Sequence, residues 1–271
     1  MTSPSTPAAG DTRLWEAYAI QFARRQKSSR EEHFYRGHDV AREPYPIAYY
    51  LWLLKSGDDA IVVDAGFTEE TARKRGNRDW IATPTDTLRA LGVHPERVGD
   101  LVLTHLHYDH TGYTGAFPAA RVHVQDTELA YWSGPYGRRG ENPHLVEADD
   151  QALVAALADR GRVEVHRGDA EIRPGVAVHL TGGHTQGLQV VAAATAAGTL
   201  VLTSDASHFY DNIRADRPYS IVDCLRDMYD GFDWINAAAS SEDLVVPGHD
   251  PLVMERFPAV EGLEGIAVRL A

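Results

Sequence analysis

The residues best equipped for chemistry lie in one short stretch, Thr104-His105-Leu106-His107-Tyr108-Asp109-His110-Thr111-Gly112. His105, His107 and His110 with Asp109 form a nitrogen and oxygen donor set that suits zinc and similar divalent ions. A single histidine is ordinarily a hydrogen-bonded structural residue. Three with an aspartate at this spacing are hard to explain that way. Alternation along an extended backbone would aim His105 and His107 at one point. Asp109 and His110 could reach a second point beside it. Two ions would then need further ligands from later in the chain.

Three later positions offer them. His184 lies in Thr181-Gly182-Gly183-His184-Thr185-Gln186-Gly187, where the glycines allow a tight loop and close backbone approach. Asp205 follows the apolar run 200–203, and a carboxylate there could bridge two ions. His249 lies in Val245-Val246-Pro247-Gly248-His249-Asp250. Each is commonplace alone; strand, turn and ligand repeated in this order are not.

The elements that must position these residues can be read from pattern. Leu101-Val102-Leu103, after the turn-like Gly99-Asp100, reads as a buried strand, so the histidine cluster occupies the loop at its C-terminal end. Residues 13–22 open the first sheet. Residues 24–42 are highly charged and read as a surface loop, with His33 and His38 solvated. Residues 45–54 and 60–63 read as a hairpin about Gly57-Asp58-Asp59. A helix is expected over 85–91, stopped by Gly92. Residues 112–117 begin another, ended by Pro118, and further helices are expected over 127–132, 144–160 and 222–239. Strands are expected at 121–124, 162–165, 176–180, 188–193, 199–203 and 244–246. The breaker-rich segment 133–143 reads as an exposed loop. Val63-Asp64-Ala65 is weakly echoed by Ser204-Asp205-Ala206, as a fold of two similar halves would produce.

Composition narrows the function classes. The chain has 271 residues, 44% hydrophobic and 24% charged, as in ordinary globular proteins. A formal net charge of −13 argues against a nucleic-acid partner. Cys224 is the only cysteine, which excludes an intrachain disulfide and suits a reducing compartment; it reads as a small buried residue on a helix. Residues 1–11 read as a disordered tail rather than a signal peptide. No run approaches a membrane span. The expectation is a cytoplasmic protein without membrane or nucleic-acid partner, monomeric or homodimeric, with one domain over residues 12–271.

With these motifs in order, the chain resembles the metallo-β-lactamase superfamily from about Leu51 to His249. Asp205-Ala206-Ser207-His208, and Pro247-Gly248-His249-Asp250 with Pro251, bring it nearest the N-acyl-homoserine lactonase-like branch. The resemblance implies an α/β fold, an αβ/βα sandwich of two mixed sheets face to face with helices outside and metals at one edge. It implies that His105, His107 and His184 bind one zinc, that Asp109, His110 and His249 bind the other, and that Asp205 bridges. Asp64 matches a strand-end aspartate that supports a metal-binding histidine from behind. One departure stands out. Quorum-quenching lactonases carry a tyrosine three residues after the bridging aspartate, and here that residue is His208. Its imidazole could donate a hydrogen bond or protonate a leaving group.

The reaction this implies is the opening of a lactone. Two divalent ions, most readily Zn2+ with Mn, Co or Fe as alternatives, would hold a bridging hydroxide for attack on the carbonyl. Asp109 could orient that hydroxide or relay a proton. Of Tyr45, Tyr49, Trp52, Phe67, Trp132 and Tyr136, most read as core, and a few could line an apolar acyl or aryl pocket. Ile213 and Arg214, within residues 212–218, could form one wall, where Arg214 or Arg217 would meet a substrate carboxylate such as that of a pyridoxal-derived lactone. A β-lactam, a glyoxalase II-type thioester and a phosphodiester are substrates of enzymes with the same metal set. Flavodiiron-type redox proteins differ by an acidic ligand replacement and a flavin domain that this chain lacks.

Overall fold

The computed structural model describes residues 13–271. The tail expected over residues 1–11 lies outside them. The first sheet is built from β1 (Glu16–Arg25), β2 (Ile47–Ser56), β3 (Asp59–Val63), β4 (Asp79–Trp80), β5 (Asp100–Val102), β6 (Arg121–Gln125) and β7 (Val163–His166). The second comprises β8 (Ala170–Arg173), β9 (Val176–Leu180), β10 (Gln189–Thr195), β11 (Gly198–Ser204) and β12 (Val245–Pro247). β13 (Ala267–Arg269) returns to the edge of the first. The orders are β13-β1-β2-β3-β5-β6-β7, with β4 on β1, and β12-β11-β10-β9-β8. Both sheets are mixed: β3-β5-β6-β7 and β11-β12 run parallel, the other pairs antiparallel.

Alternation explains the layers. One face of β1–β3 (Trp15, Ala17, Trp52, Leu54, Ile61, Val63) meets one face of β9–β12 (Val178, Val191, Leu200, Leu202, Val246) in a single apolar cluster between the sheets. The opposite face of the first sheet packs on Leu88, Trp132 and Val154 from three helices. The outer face of the second packs on Ile235 and Trp234 of the helix Leu225–Ala238. The result is the expected four-layer αβ/βα sandwich. No helix among the described residues is long and apolar enough to cross a membrane.

Several elements differ from the sequence reading, for identifiable reasons. The helix expected over 144–160 is two, Asn142–Leu145 and Ala148–Asp159. The break falls where Arg75 takes the carbonyls of His144 (2.8 Å) and Val146 (3.3 Å) and its guanidinium pairs with Glu147. The helix expected from 222 starts at Leu225, because the amides of Asp223 and Cys224 are spent on the Gly183 carbonyl (2.7 and 3.0 Å). Cys224 is therefore a half-buried N-cap, not a buried helical residue. Residues 112–117 hold only the 3₁₀ turn Thr114–Ala116. His33 is fully buried rather than solvated: the charged segment folds over the aromatic cluster and His33 packs against Tyr45, Phe209 and Tyr219. His38 is exposed.

Candidate metal centre

Parallel strands deliver their following loops to one edge of a sheet, and here both sheets deliver to the same edge. β5 runs into residues 104–110, β11 into Asp205, β12 into His249, and the turn between β9 and β10 carries His184. Asp64, directly after β3, holds φ +62°, and Ser204, at the end of β11, holds +45°. Thr104 joins them: its amide and hydroxyl donate to Asp64 (2.8 and 2.9 Å), and its Oγ1 lies 2.7 Å from the Ser204 hydroxyl. The echo between the halves is real but shifted by one residue, so the counterpart of Asp64 is Ser204, not Asp205. Close approach fixes two glycines. A Cβ on Gly248 would lie 2.5 Å from the Ser204 carbonyl oxygen, and one on Gly187 2.3 Å from the Glu128 amide.

The side chains then converge. Donor atoms of His105, His107, His184 and Asp205 lie within 4.8 Å of one another, as do those of Asp109, His110 and His249. The two Asp205 oxygens face different groups. Oδ2 is 3.2 Å from His184 Nε2 and 3.7 Å from His105 Nε2, while Oδ1 is 3.0 Å from His249 Nε2 and 3.4 Å from His110 Nε2. Asp109 stands farther off, 3.8 Å from His110 and 3.9 Å from His249, and its side chain is the most exposed of the set at 12%.

The outward nitrogens fix the tautomers. His110 Nδ1 bonds Asp64 (2.7 Å), His184 Nδ1 donates to the Ile221 carbonyl (3.0 Å), and His249 Nδ1 donates to the Ala48 carbonyl (2.8 Å). The inward His105 Nε2 and His110 Nε2 are sealed with no hydrogen-bond partner. His107 Nδ1 and His184 Nε2 face each other at 3.0 Å. Sealed imidazole nitrogens gathered around one buried carboxylate call for a cation, and this donor set fits two divalent ions. Burial pushes His105 and His107 well below the usual histidine range, into the neutral form that ligation requires. Burial alone would raise Asp205, but His208 and His249 foremost hold it well below the carboxylate range.

The structure separates the remaining candidates. Tyr49 lies edge-on to His249 (5.4 Å) and Trp132 edge-on to His107 (5.5 Å); Phe67 packs behind Tyr49 (4.9 Å). Trp52 is in the core between the sheets, and Tyr45 hydrogen-bonds Asp211. Tyr136 is 63% exposed. Ile213 packs against the outer face of the second sheet, Arg214 is exposed over Tyr210, and Arg217 pairs with Asp39. None of these last four faces the imidazoles. A cavity of about 100 Å³ is lined by His107, His184, Tyr131, Trp132, Ile221 and Asp223. A larger apolar groove of about 530 Å³ holds none of the clustered donors but shares Trp132 with it. His208 sets Nε2 3.1 Å from Asp205 Oδ2, while its Nδ1 is sealed without a partner. Burial takes its imidazole down to about 3, so it is uncharged at neutral pH.

Sequence reasoning missed Glu128. Fully buried on the helix Asp126–Ser133, it accepts from the Leu106 amide (2.9 Å), the Trp132 indole (2.8 Å) and the Gly187 amide (2.9 Å). A lone glutamate in a short helical stretch gives no signal of such a role. Thr104 and Gln189 were equally silent; Gln189 ties the carbonyls of Leu103 (2.9 Å) and His123 (3.1 Å) to the second sheet.

Comparison with known proteins gives the family and the fold. The family model for the metallo-beta-lactamase superfamily matches residues 45–249. The N-acyl homoserine lactonase AiiA of Bacillus thuringiensis subsp. kurstaki is 28% identical over 190 residues, covering 64% of this chain and 70% of that one. A crystal structure of a quorum-quenching N-acyl homoserine lactone lactonase superposes with a TM-score of 0.69 at 22% identity, over 89% of this chain and 95% of that chain. AidC, a dizinc quorum-quenching lactonase in complex with a product N-hexanoyl-L-homoserine, superposes at 0.67 with 14% identity, over 89% and 90%.

Proposed function

The chain belongs to the metallo-β-lactamase superfamily, and we propose that it is a metal-dependent lactonase that opens a small lactone, of the N-acyl-homoserine type or an aryl relative, to the hydroxy acid. The observation that carries this is the pair of facing donor groups divided by Asp205. His105, His107 and His184 would hold one ion, Asp109, His110 and His249 the other, with one Asp205 oxygen for each. Zinc is the ion we favour, on the imidazole-rich donor set. When bound, the ions supply a water ionised near neutral pH and polarise the substrate carbonyl.

The rest is the work of this chain's own side chains. Asp109, the most exposed carboxylate of the set, orients the attacking water by accepting its hydrogen bond. Asp64 fixes the His110 ring through Nδ1. His208, with Nε2 on Asp205 and Nδ1 sealed, positions the central carboxylate rather than donating to substrate. Trp132 borders the cavity, and Tyr49 covers His249 edge-on and excludes water there. One core shared by both sheets supports reading residues 12–271 as a single domain, and a lone cysteine supports a cytoplasmic setting.

Metal analysis with a panel of acyl-homoserine lactones, aryl lactones, β-lactams and thioesters tests the reading. The expected result is about two ions per chain and turnover confined to lactones. A protein that takes up zinc yet opens none of the lactones refutes it. His208→Ala is expected to keep its metal and lose turnover.

A further inference from the structure

The carboxylate of Glu128 is fully buried and is tied to one half of the metal centre only. Its Oε1 accepts from the Leu106 amide (2.9 Å) and the Trp132 indole (2.8 Å), and its Oε2 accepts from the Gly187 amide (2.9 Å). Both oxygens act as acceptors, the pattern of an ionised carboxylate. None of the three donors carries charge. A buried negative charge held by neutral groups is costly unless a positive one lies close.

The donors show where that positive charge belongs. Leu106 stands between His105 and His107, and Gly187 follows His184 by three residues. The Leu106 peptide is held from both sides, since its carbonyl accepts from the Gln151 amide (2.9 Å). The turn bearing His184 is seated so tightly on Glu128 that a Cβ on Gly187 would fall 2.4 Å from the Glu128 Cβ. One side chain thus fixes three imidazoles relative to one another and sets a negative charge one peptide away from two of them. The other donor set is held by different means. His110 rests on Asp64 (2.7 Å) and His249 on the Ala48 carbonyl (2.8 Å).

We propose that Glu128 is a positioning residue that governs the ion at His105, His107 and His184 and leaves the ion at Asp109, His110 and His249 to its own supports. This rests on the two-ion reading of the site and is independent of the substrate.

The test reads metal content of the full chain, loaded with zinc and then dialysed against a chelator. Glu128→Gln keeps the size of the side chain but turns an amide N–H toward one of the three donors. It should weaken one ion by about 10- to 100-fold, leave the other within about threefold, and bring the dialysed protein to about one ion per chain. Two double variants identify which ion is lost. Adding Glu128→Gln to His110→Ala should remove the ion that the single variant retains. Adding it to His107→Ala should change nothing. Trp132→Phe, which removes one tie of three, should weaken the same ion by about 3- to 10-fold. Should Glu128→Gln fail to fold, Glu128→Asp, which keeps the charge and draws it back by one methylene, is read in the same way. A wild type holding two ions with a folded variant that holds both as tightly overturns this inference alone. Equal weakening of both ions, or an effect of Glu128→Gln in the His107→Ala background, overturns its selectivity and with it the proposal. A wild type that binds no zinc overturns the metal reading itself.

Discussion

Two clusters of histidine and aspartate lie at opposite ends of β5 and have opposite fates. At the C-terminal end five imidazoles and two carboxylates face inward, with His105 Nε2 and His110 Nε2 left partnerless. At the N-terminal end Asp100 takes His123 Nε2 (3.0 Å) on one oxygen and Arg173 (2.7 Å) on the other, while His123 Nδ1 meets His166 Nε2 at 3.0 Å. Burial alone would raise Asp100, but the bonds from His123 and Arg173 carry it below its usual range. Residue type does not separate the two. What separates them is whether the lone pairs are satisfied: Asp100 fixes the His123 tautomer, the chain closes on itself, and no cation is required. At the other end the outward hydrogen bonds of His110, His184 and His249 turn their second nitrogens inward, and two inward nitrogens of the cluster, on His105 and His110, have no partner at all.

This contrast can be broken in order of effect. His107→Ala should cost metal and at least about a thousandfold in turnover, whereas His123→Ala should leave metal content untouched; metal analysis of both variants decides it. Asp64→Asn weakens the support of His110 and should lower metal affinity by about 10- to 100-fold, read by competition with a chelator. His33 offers a third case, a buried imidazole that is neither ligand nor part of a closed chain. Burial lowers it to about 4 against an unfolded value near 6.5. The unfolded chain then binds the extra proton, so this contribution is intact above pH 6.5 and drains away as pH falls toward 4. Unfolding at pH 7 and pH 5 should differ by about 2 kcal/mol more in the wild type than in His33→Phe. Smallest, His166→Ala should cost about 1 kcal/mol, since solvent can replace its bond to His123.

The ligand-bearing stretch was legible because its spacing is local and its chemistry is rare. The strands were legible because they alternate, and the order of the glycine-flanked ligands indicated both the sheet edge and the fold. The substrate wall was not. Arg214 and Ile213 follow Asp205 in sequence, but the helix Tyr210–Arg214 turns them away, so proximity along the chain misled. Tyr219 reaches His208, and His33 stacks behind it, through pairings between residues 30–35 and 212–220, for which a single sequence carries no periodic signal. The short edge strands β8 and β13 carry too little alternation to be seen. The split at Glu147 depends on Arg75, seventy-two positions earlier.

Glu128 ties three parts into one rigid unit: the loop bearing His105 and His107, the turn bearing His184, and the indole of Trp132. The same indole lines both the cavity that holds His107 and His184 and the larger apolar groove. Ligand fit and imidazole spacing therefore share a hinge pin. Evolution can alter what this protein accepts by redrawing the far bank of the groove, residues 137–155, while any change made through the indole itself would retune the metal as well.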